Sequence, residues 1–206
     1  MTRFVLSVQI LWFFLKFKHN YLSCHYQDFS RDRGITMYNE ALNFRDKTPF
    51  LDAWATLYKL EKYVNGATIQ GDRIQADRKE LDRDALQGVN PGVDRKLMLT
   101  LFLDIHFYFI CCDKVQNLLE SFVELDGDPK LKKLWRTMKP KLKIFNDARN
   151  ILEHIEKEIR KENLSDLGNL QKDAFTFGGK SYDISESRLK SLTDAYEQVV
   201  SILSKR

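Results

Sequence analysis

Six consecutive residues carry the most distinctive chemistry of the chain: Arg149-Asn150-Ile151-Leu152-Glu153-His154 puts a permanent cation, a primary amide and an imidazole into one stretch of helical character. Asn150 and His154, four residues apart, share a helix face. Arg149 and His154 leave the helix axis about 140° apart, an angle that the long arginine stem can curl across. Such a trio can handle a phosphodiester, with the guanidinium against the anionic phosphate, the imidazole moving a proton and the amide orienting one or both. The same letters also have a purely structural reading, in which His154 flanks an apolar stripe of Ile151, Leu152 and Ile155 while Arg149 pairs with Glu153. Residue types and spacing leave both readings open.

Upstream in the same helical stretch, Lys130, Lys132, Lys133, Arg136, Lys139, Lys141 and Lys143 follow one another with no acid between them. They form a local positive strip suited to RNA phosphates, and Trp135 lies among them. The spacing of Trp135 with Leu131, Leu134, Met138 and Leu142 places it in the core rather than on a base. Asp104 and His106 interrupt the most apolar run of the chain, Leu97 to Cys112. A buried carboxylate needs a partner, so Asp104 is a candidate supporting residue that orients His154 or pairs with Arg149, an internal structural pair or an exposed edge being the alternatives. His106 points elsewhere and is expected to be a satisfied packing residue. His19, His25, His106 and His154 have no metal-ligand spacing, and no glycine-rich phosphate loop occurs, so neither a metal nor a nucleotide cofactor is expected.

The elements that must position these groups are mostly helical. A short helix near Tyr38 to Phe44 precedes Thr48-Pro49, which reads as a cap and first helical residue. Leu51, Trp54, Ala55, Leu57, Tyr58, Leu60 and Val64 then recur at helical spacing and leave Lys59 and Glu61 to face solvent. Asn65-Gly66 and Gln70-Gly71 read as punctuation, and the charged stretch from Asp72 to Leu86 reads as a mobile helical excursion before Asn90-Pro91-Gly92. Asp94 to Leu125 is apolar almost all round in its first half, as befits the central bundle member or a dimer seam. Gly127-Asp128-Pro129 ends it and starts a helix running to about Asn163, kinked at Pro140. Phe175-Thr176-Phe177, Gly178-Gly179 and Lys180 to Ile184 form a β-hairpin pattern, and Ser185 caps a last helix striped by Leu189, Leu192, Tyr196, Val199, Val200 and Leu203.

The totals fit one globular domain spanning residues 37–206, preceded by an extension, residues 1–36. The chain has 206 residues, 43% hydrophobic and 30% charged, which argues against disorder. Its net charge of +4 is mostly local, because residues 1–36 hold five basic and two acidic residues. Global charge therefore says nothing about partners, and only clusters can. Three cysteines, Cys24, Cys111 and Cys112, two of them adjacent, make neither a disulfide framework nor a thiolate metal site, and fit a reducing cytoplasm. Phe4 to Phe17 is apolar, but its uncharged part falls short of the ~20 residues that span a bilayer, so no stable membrane insertion is expected. The extension reads as weakly structured or as a start assigned before Met37, with a targeting segment or an integral core helix as alternatives.

Arg149-Asn150 followed after three residues by His154, in an all-helical context, resembles the R-x4-6-H signature of the HEPN superfamily, whose members often carry Asn, Asp or His after the arginine. Asp147-Ala148-Arg149-Asn150, Glu153-His154, Gly168-Asn169-Leu170 and Phe175-Thr176-Phe177-Gly178-Gly179 before a final helix are similar to an uncharacterised bacterial branch of it. The resemblance covers residues 94–206, and more loosely 37–206. It implies a HEPN-like bundle of four to five helices with a small C-terminal β-hairpin before the last helix, dimerising so that two motif helices face each other. It further implies a metal-independent endoribonuclease in toxin-antitoxin, antiviral or stress roles. Arg149 would hold the scissile phosphate, His154 would assist proton transfer at the 2'-hydroxyl and Asn150 would position them, with an antitoxin or a nucleotidyltransferase as possible partner. Some members of the superfamily are noncatalytic RNA- or protein-binding modules, and a structural or regulatory helical protein in which the motif is accidental is the remaining alternative.

Overall fold

A computed structural model describes residues 37–86, 95–153, 169–171, 173–177 and 180–206. In chain order these form a 3-10 helix (Ala41–Lys47), α1 (Leu51–Leu86), α2 (Arg95–Asp126), α3 (Pro129–Glu153), β1 (Asn169–Gln171), β2 (Ala174–Phe177), β3 (Lys180–Asp183) and α4 (Glu186–Ser204). The fold is thus mostly helical, with a small hairpin just before the final helix. The segment 1–36, the Asn90-Pro91-Gly92 turn, the expected helix beyond Glu153 and His154 itself lie outside the described residues. Residues 38–206 make one compact unit.

Several boundaries fall where capping chemistry sets them. Gly127 takes a left-handed φ of 78° that closes α2, and its N–H donates to the Val123 carbonyl at 3.1 Å. Asp128 then accepts from the Lys130 N–H at 2.6 Å, ahead of Pro129, which needs no donor at the first helical position. Ser185 caps α4 by accepting from the Arg188 N–H at 3.3 Å. Pro140 lies inside α3 on its exposed side. The start of α1 differs from expectation, since the helix begins at Leu51 rather than Pro49, and the short helix before it is of the 3-10 type and runs from Ala41 to Lys47.

α2 is the central member, packed between α1 and α3, and α4 closes the bundle against both of those helices. Its buried Leu101, Ile105, Tyr108, Phe109, Cys112, Val115, Leu119 and Phe122 account for the apolar run. The hairpin packs on the first half of α2: Phe102 meets Phe175 with centroids 5.6 Å apart, and Phe109 meets Phe177 at 6.1 Å and Tyr182 at 5.8 Å. Phe175 pairs with Tyr182 and Phe177 with Lys180, leaving residues 178 and 179 for the connection, itself outside the described residues. A third strand, β1, pairs antiparallel with β2 and had no signal strong enough to expect it.

The largest correction concerns α1. Asn65-Gly66 and Gln70-Gly71 are not turns, and residues 72–86 are not an excursion: one helix runs unbroken from Leu51 to Leu86. The glycines serve close approach. A Cβ on Gly66 would stand 3.0 Å from the Cys111 Sγ, and one on Gly71 would stand 2.8 Å from Leu189 Cδ2. The later turns of α1 are tied down by Ile74 in the core, by Gln75 donating to the Ile184 carbonyl at 3.3 Å and by Arg78 facing Asp173 at 3.3 Å.

Glu61 also departs from expectation. Lys59 is exposed, but Glu61 is buried and accepts from the Ala41 N–H at 2.8 Å and the Tyr196 hydroxyl at 2.6 Å, so its carboxylate serves as the missing cap of the 3-10 helix. Beside it, Asn65 accepts from the Tyr38 N–H at 2.8 Å and donates to the Tyr38 carbonyl at 2.9 Å, so a residue expected to break the helix instead pins the start of the unit. Among the described residues no helix is long and apolar enough to cross a membrane.

Candidate functional site

Two seven-residue steps on α2 meet two on α3 running antiparallel. Lys139 Nζ reaches Glu120 Oε1 at 2.6 Å, and one step along Asn146 Nδ2 donates to Asp113 Oδ1 at 2.9 Å. That register places Arg149 and Asn150 just beyond the Asp113–Asn146 step, toward the C-terminal end of α3. Asp113 is 1% exposed and also accepts from Asn117 Nδ2 at 3.2 Å. Asn150 Nδ2 donates to Asn146 Oδ1 at 3.0 Å, and Arg149 Nη1 donates to Asn150 Oδ1 at 2.8 Å. Arg149 Nε stands 3.7 Å from Asp113 Oδ2 and 3.1 Å from Glu153 Oε2.

The Arg149 side chain keeps 27% of its surface exposed and Glu153 keeps 39%. The Nε of the guanidinium thus stands between two carboxylates, the buried Asp113 at 3.7 Å and the nearer, solvent-facing Glu153 at 3.1 Å. The i,i+4 pair of Arg149 with Glu153 expected from the sequence is present, and so is the contact of Arg149 with Asn150. His154, the remaining member of the trio, lies outside the described residues.

The seven basic residues in the first part of α3, Lys130, Lys132, Lys133, Arg136, Lys139, Lys141 and Lys143, are exposed. Among the described residues only Lys139 of these has an ion-pair partner, Glu120. Trp135 is 8% exposed, donates from Nε1 to Glu120 at 3.3 Å and carries Lys139 over its ring, so it belongs to the core as its spacing requires. The other six stand exposed on α3 between Lys130 and Lys143.

Asp104 takes the structural alternative rather than a place beside Arg149. Its Oδ2 accepts from Arg73 Nε of α1 at 2.9 Å, and nine residues of α2, about 13 Å of helix, separate it from Asp113. Burial pushes its carboxyl up to about 6 while Arg73 pulls it back. His106 is not satisfied in the way expected among the described residues, where its enclosed Nε2 has no hydrogen-bond partner. Burial pushes this imidazole below its usual range and Glu153 pulls it back up, which fits the next seven-residue step, where His106 and Glu153 face one another across the seam.

The residue that sequence reasoning missed is Asp113. It stands in a polar stretch where one more acid is unremarked, but His106, Asp113 and Glu120 repeat every seven residues on one side of α2, against Asn146 and Lys139, and that pattern was available. Burial raises the Cys111 thiol to about 12 and the Cys112 thiol well above the usual range, which disfavours the reactive thiolate of both. Among the described residues no group of three or more His, Cys, Asp or Glu is arranged to hold a metal. An open pocket of about 470 Å³ near Asp126, Asp128 and Arg206 lies at the opposite end of α3. No family model, curated protein or solved structure compared with the chain matches it.

Proposed function

We propose that this protein binds RNA along the basic face of α3 and cleaves its backbone, without a metal, at a site built on Arg149, Asn150 and His154. The observation that carries the reading is the partly exposed guanidinium of Arg149, held beside the buried Asp113 and by Asn150, on the same helix as six exposed basic residues that have no ion-pair partner among the described residues. Lysines supply sequence-independent phosphate contacts, and the anchored arginine supplies a directed, bidentate one. A scissile phosphate would displace Glu153 from Arg149. His154 would take the proton of the adjacent 2'-hydroxyl, whose oxygen attacks phosphorus, forming the O2'–P bond and breaking the P–O5' bond. The products are a 2',3'-cyclic phosphate and a 5'-hydroxyl, the latter protonated from solvent or a second imidazole. The resemblance to HEPN proteins supports this chemistry and, with it, a homodimer acting in defence or stress.

A second reading has its own support. Glu153 sits against Arg149, as a blocked pocket would, and that favours a noncatalytic RNA-binding module. The two separate when a mixed pool of end-labelled RNAs is incubated in EDTA with the full chain and with a folded R149A/H154A variant. Cleavage by the parent alone supports the ribonuclease. Retarded but intact RNA with both folded proteins overturns it in favour of the module.

A further inference from the structure

We infer that Asp113 is the positioning residue of this site: through Asn146 and Asn150 it fixes which way the amides point and thereby where the Arg149 guanidinium is held. The inference rests on the reading of Arg149 as the phosphate-binding group. Four side chains close a circuit, Asp113 to Asn146 at 2.9 Å, Asn146 to Asn150 at 3.0 Å, Asn150 to Arg149 at 2.8 Å, and Arg149 back to Asp113 at 3.7 Å.

Only one direction of hydrogen bonding satisfies that circuit. An ionised carboxylate accepts and cannot donate, so Asn146 must present its Nδ2 to Asp113. Its Oδ1 is then turned to Asn150, which must donate in its turn. Asn150 is left with Oδ1 toward Arg149, and a guanidinium only donates. Reversing either amide would set oxygen against oxygen at one link and N–H against N–H at the other. The acceptor-only group at one end and the donor-only group at the other thus fix both amides between them. Asn117, donating to Asp113 Oδ2 at 3.2 Å, holds the carboxylate itself.

Asp113 is too buried to touch a substrate, so its effect must pass through Arg149. A misplacement of an ångström at a phosphate contact costs catalysis far more than it costs folding. An asparagine in its place keeps the shape but loses the charge beside Arg149 and can donate as well as accept, so the direction is imposed from the Arg149 end alone and the carboxylate end no longer holds it. Exchanging the two groups, D113N together with N146D, puts the acceptor-only carboxylate one link along, where it still accepts from Asn150 and still leaves Asn150 Oδ1 to Arg149.

The test uses the full chain and two readouts. The Nε–Hε resonance of Arg149, identified by its loss in R149A, reports the guanidinium directly, and cleavage of labelled RNA reports function. D113N is expected to move that resonance toward the position of a free arginine and to lower kcat/KM by about tenfold. The D113N/N146D protein is expected to restore both. An unmoved resonance in folded D113N overturns the positioning role whatever cleavage does. If D113N does not fold, the double variant decides: a wild-type resonance supports the role and a displaced one overturns it. A resonance that moves and is restored, in a protein that cuts no RNA, upholds Asp113 as the residue that positions Arg149 and removes the ribonuclease reading alone.

Discussion

Each flank of α2 sets one of its aspartates against an arginine of a neighbour, and the two pairs are built to opposite ends. On the α1 side Arg73 Nε bonds Asp104 at 2.9 Å, within a seam drawn tight by Gly66 against Cys111, one seven-residue step away on both helices. On the α3 side Arg149 Nε stands back from Asp113 at 3.7 Å, because Asn117 and Asn146 supply the hydrogen bonds that the carboxylate needs. A carboxylate fed directly by a guanidinium consumes its charge in holding the fold. One fed by amides leaves the guanidinium steered and still able to take up an outside anion. The lesson is that the partner of the aspartate, more than its burial, separates a strut from a site.

The comparison breaks most visibly if the two arginines prove interchangeable. R73A leaves a buried carboxylate without this partner and is expected to lower stability by about 3–5 kcal/mol in urea unfolding, with D104N costing less because it removes the charge instead of stranding it. R149A is expected to change stability by under about 1 kcal/mol, since the buried Asp113 keeps its hydrogen bonds from Asn117 and Asn146 and the other partners are one amide and an exposed acid, yet to reduce RNA cleavage by at least about 100-fold. Equal stability losses at the two positions would erase the distinction.

Smaller effects sharpen it. The carboxyl of Asp104, held at about 6 when folded, lies above its unfolded value, so the folded state binds the extra proton. Stability from this group is present below about 4 and falls as pH rises to about 6, a slope that D104N should flatten in melting curves recorded across that window. G66A gains helix propensity of about 1 kcal/mol but must push the Cys111 sulfur away, so it should destabilise alone and stabilise when combined with C111A. The smallest change is expected from E153Q, a gain of a few-fold in RNA affinity at low salt, read by filter binding, because the competing carboxylate on Arg149 loses its charge.

Much of this architecture is written locally and was therefore legible. Asp128 with Pro129, Ser185, the Phe175/Phe177 alternation and the apolar face around Trp135 each declare themselves within a few residues. What stayed hidden depends on partners far along the chain. Gly66 and Gly71 look like turns until Cys111 and Leu189 are seen against them, and Glu61 looks solvated until Ala41 and Tyr196 are seen to donate to it. For the site, Arg149, Asn150 and Glu153 were legible because they are neighbours on one helix. Asp113 was not, because its meaning comes from the antiparallel register of two helices, and Asp104 drew attention by interrupting an apolar run that a structural ion pair interrupts equally well.

The sulfur pressed against Gly66 has a use as a clock. Burial holds the Cys111 thiol up at about 12, and its sulfur lies where a Cβ on Gly66 would stand 3.0 Å away. Alkylation is therefore expected to be slow in the closed bundle and faster when α1 and α2 part. Its rate, followed by mass, would time how often the bundle breathes along the very seam that holds Arg73, and would do so without a label or a mutation.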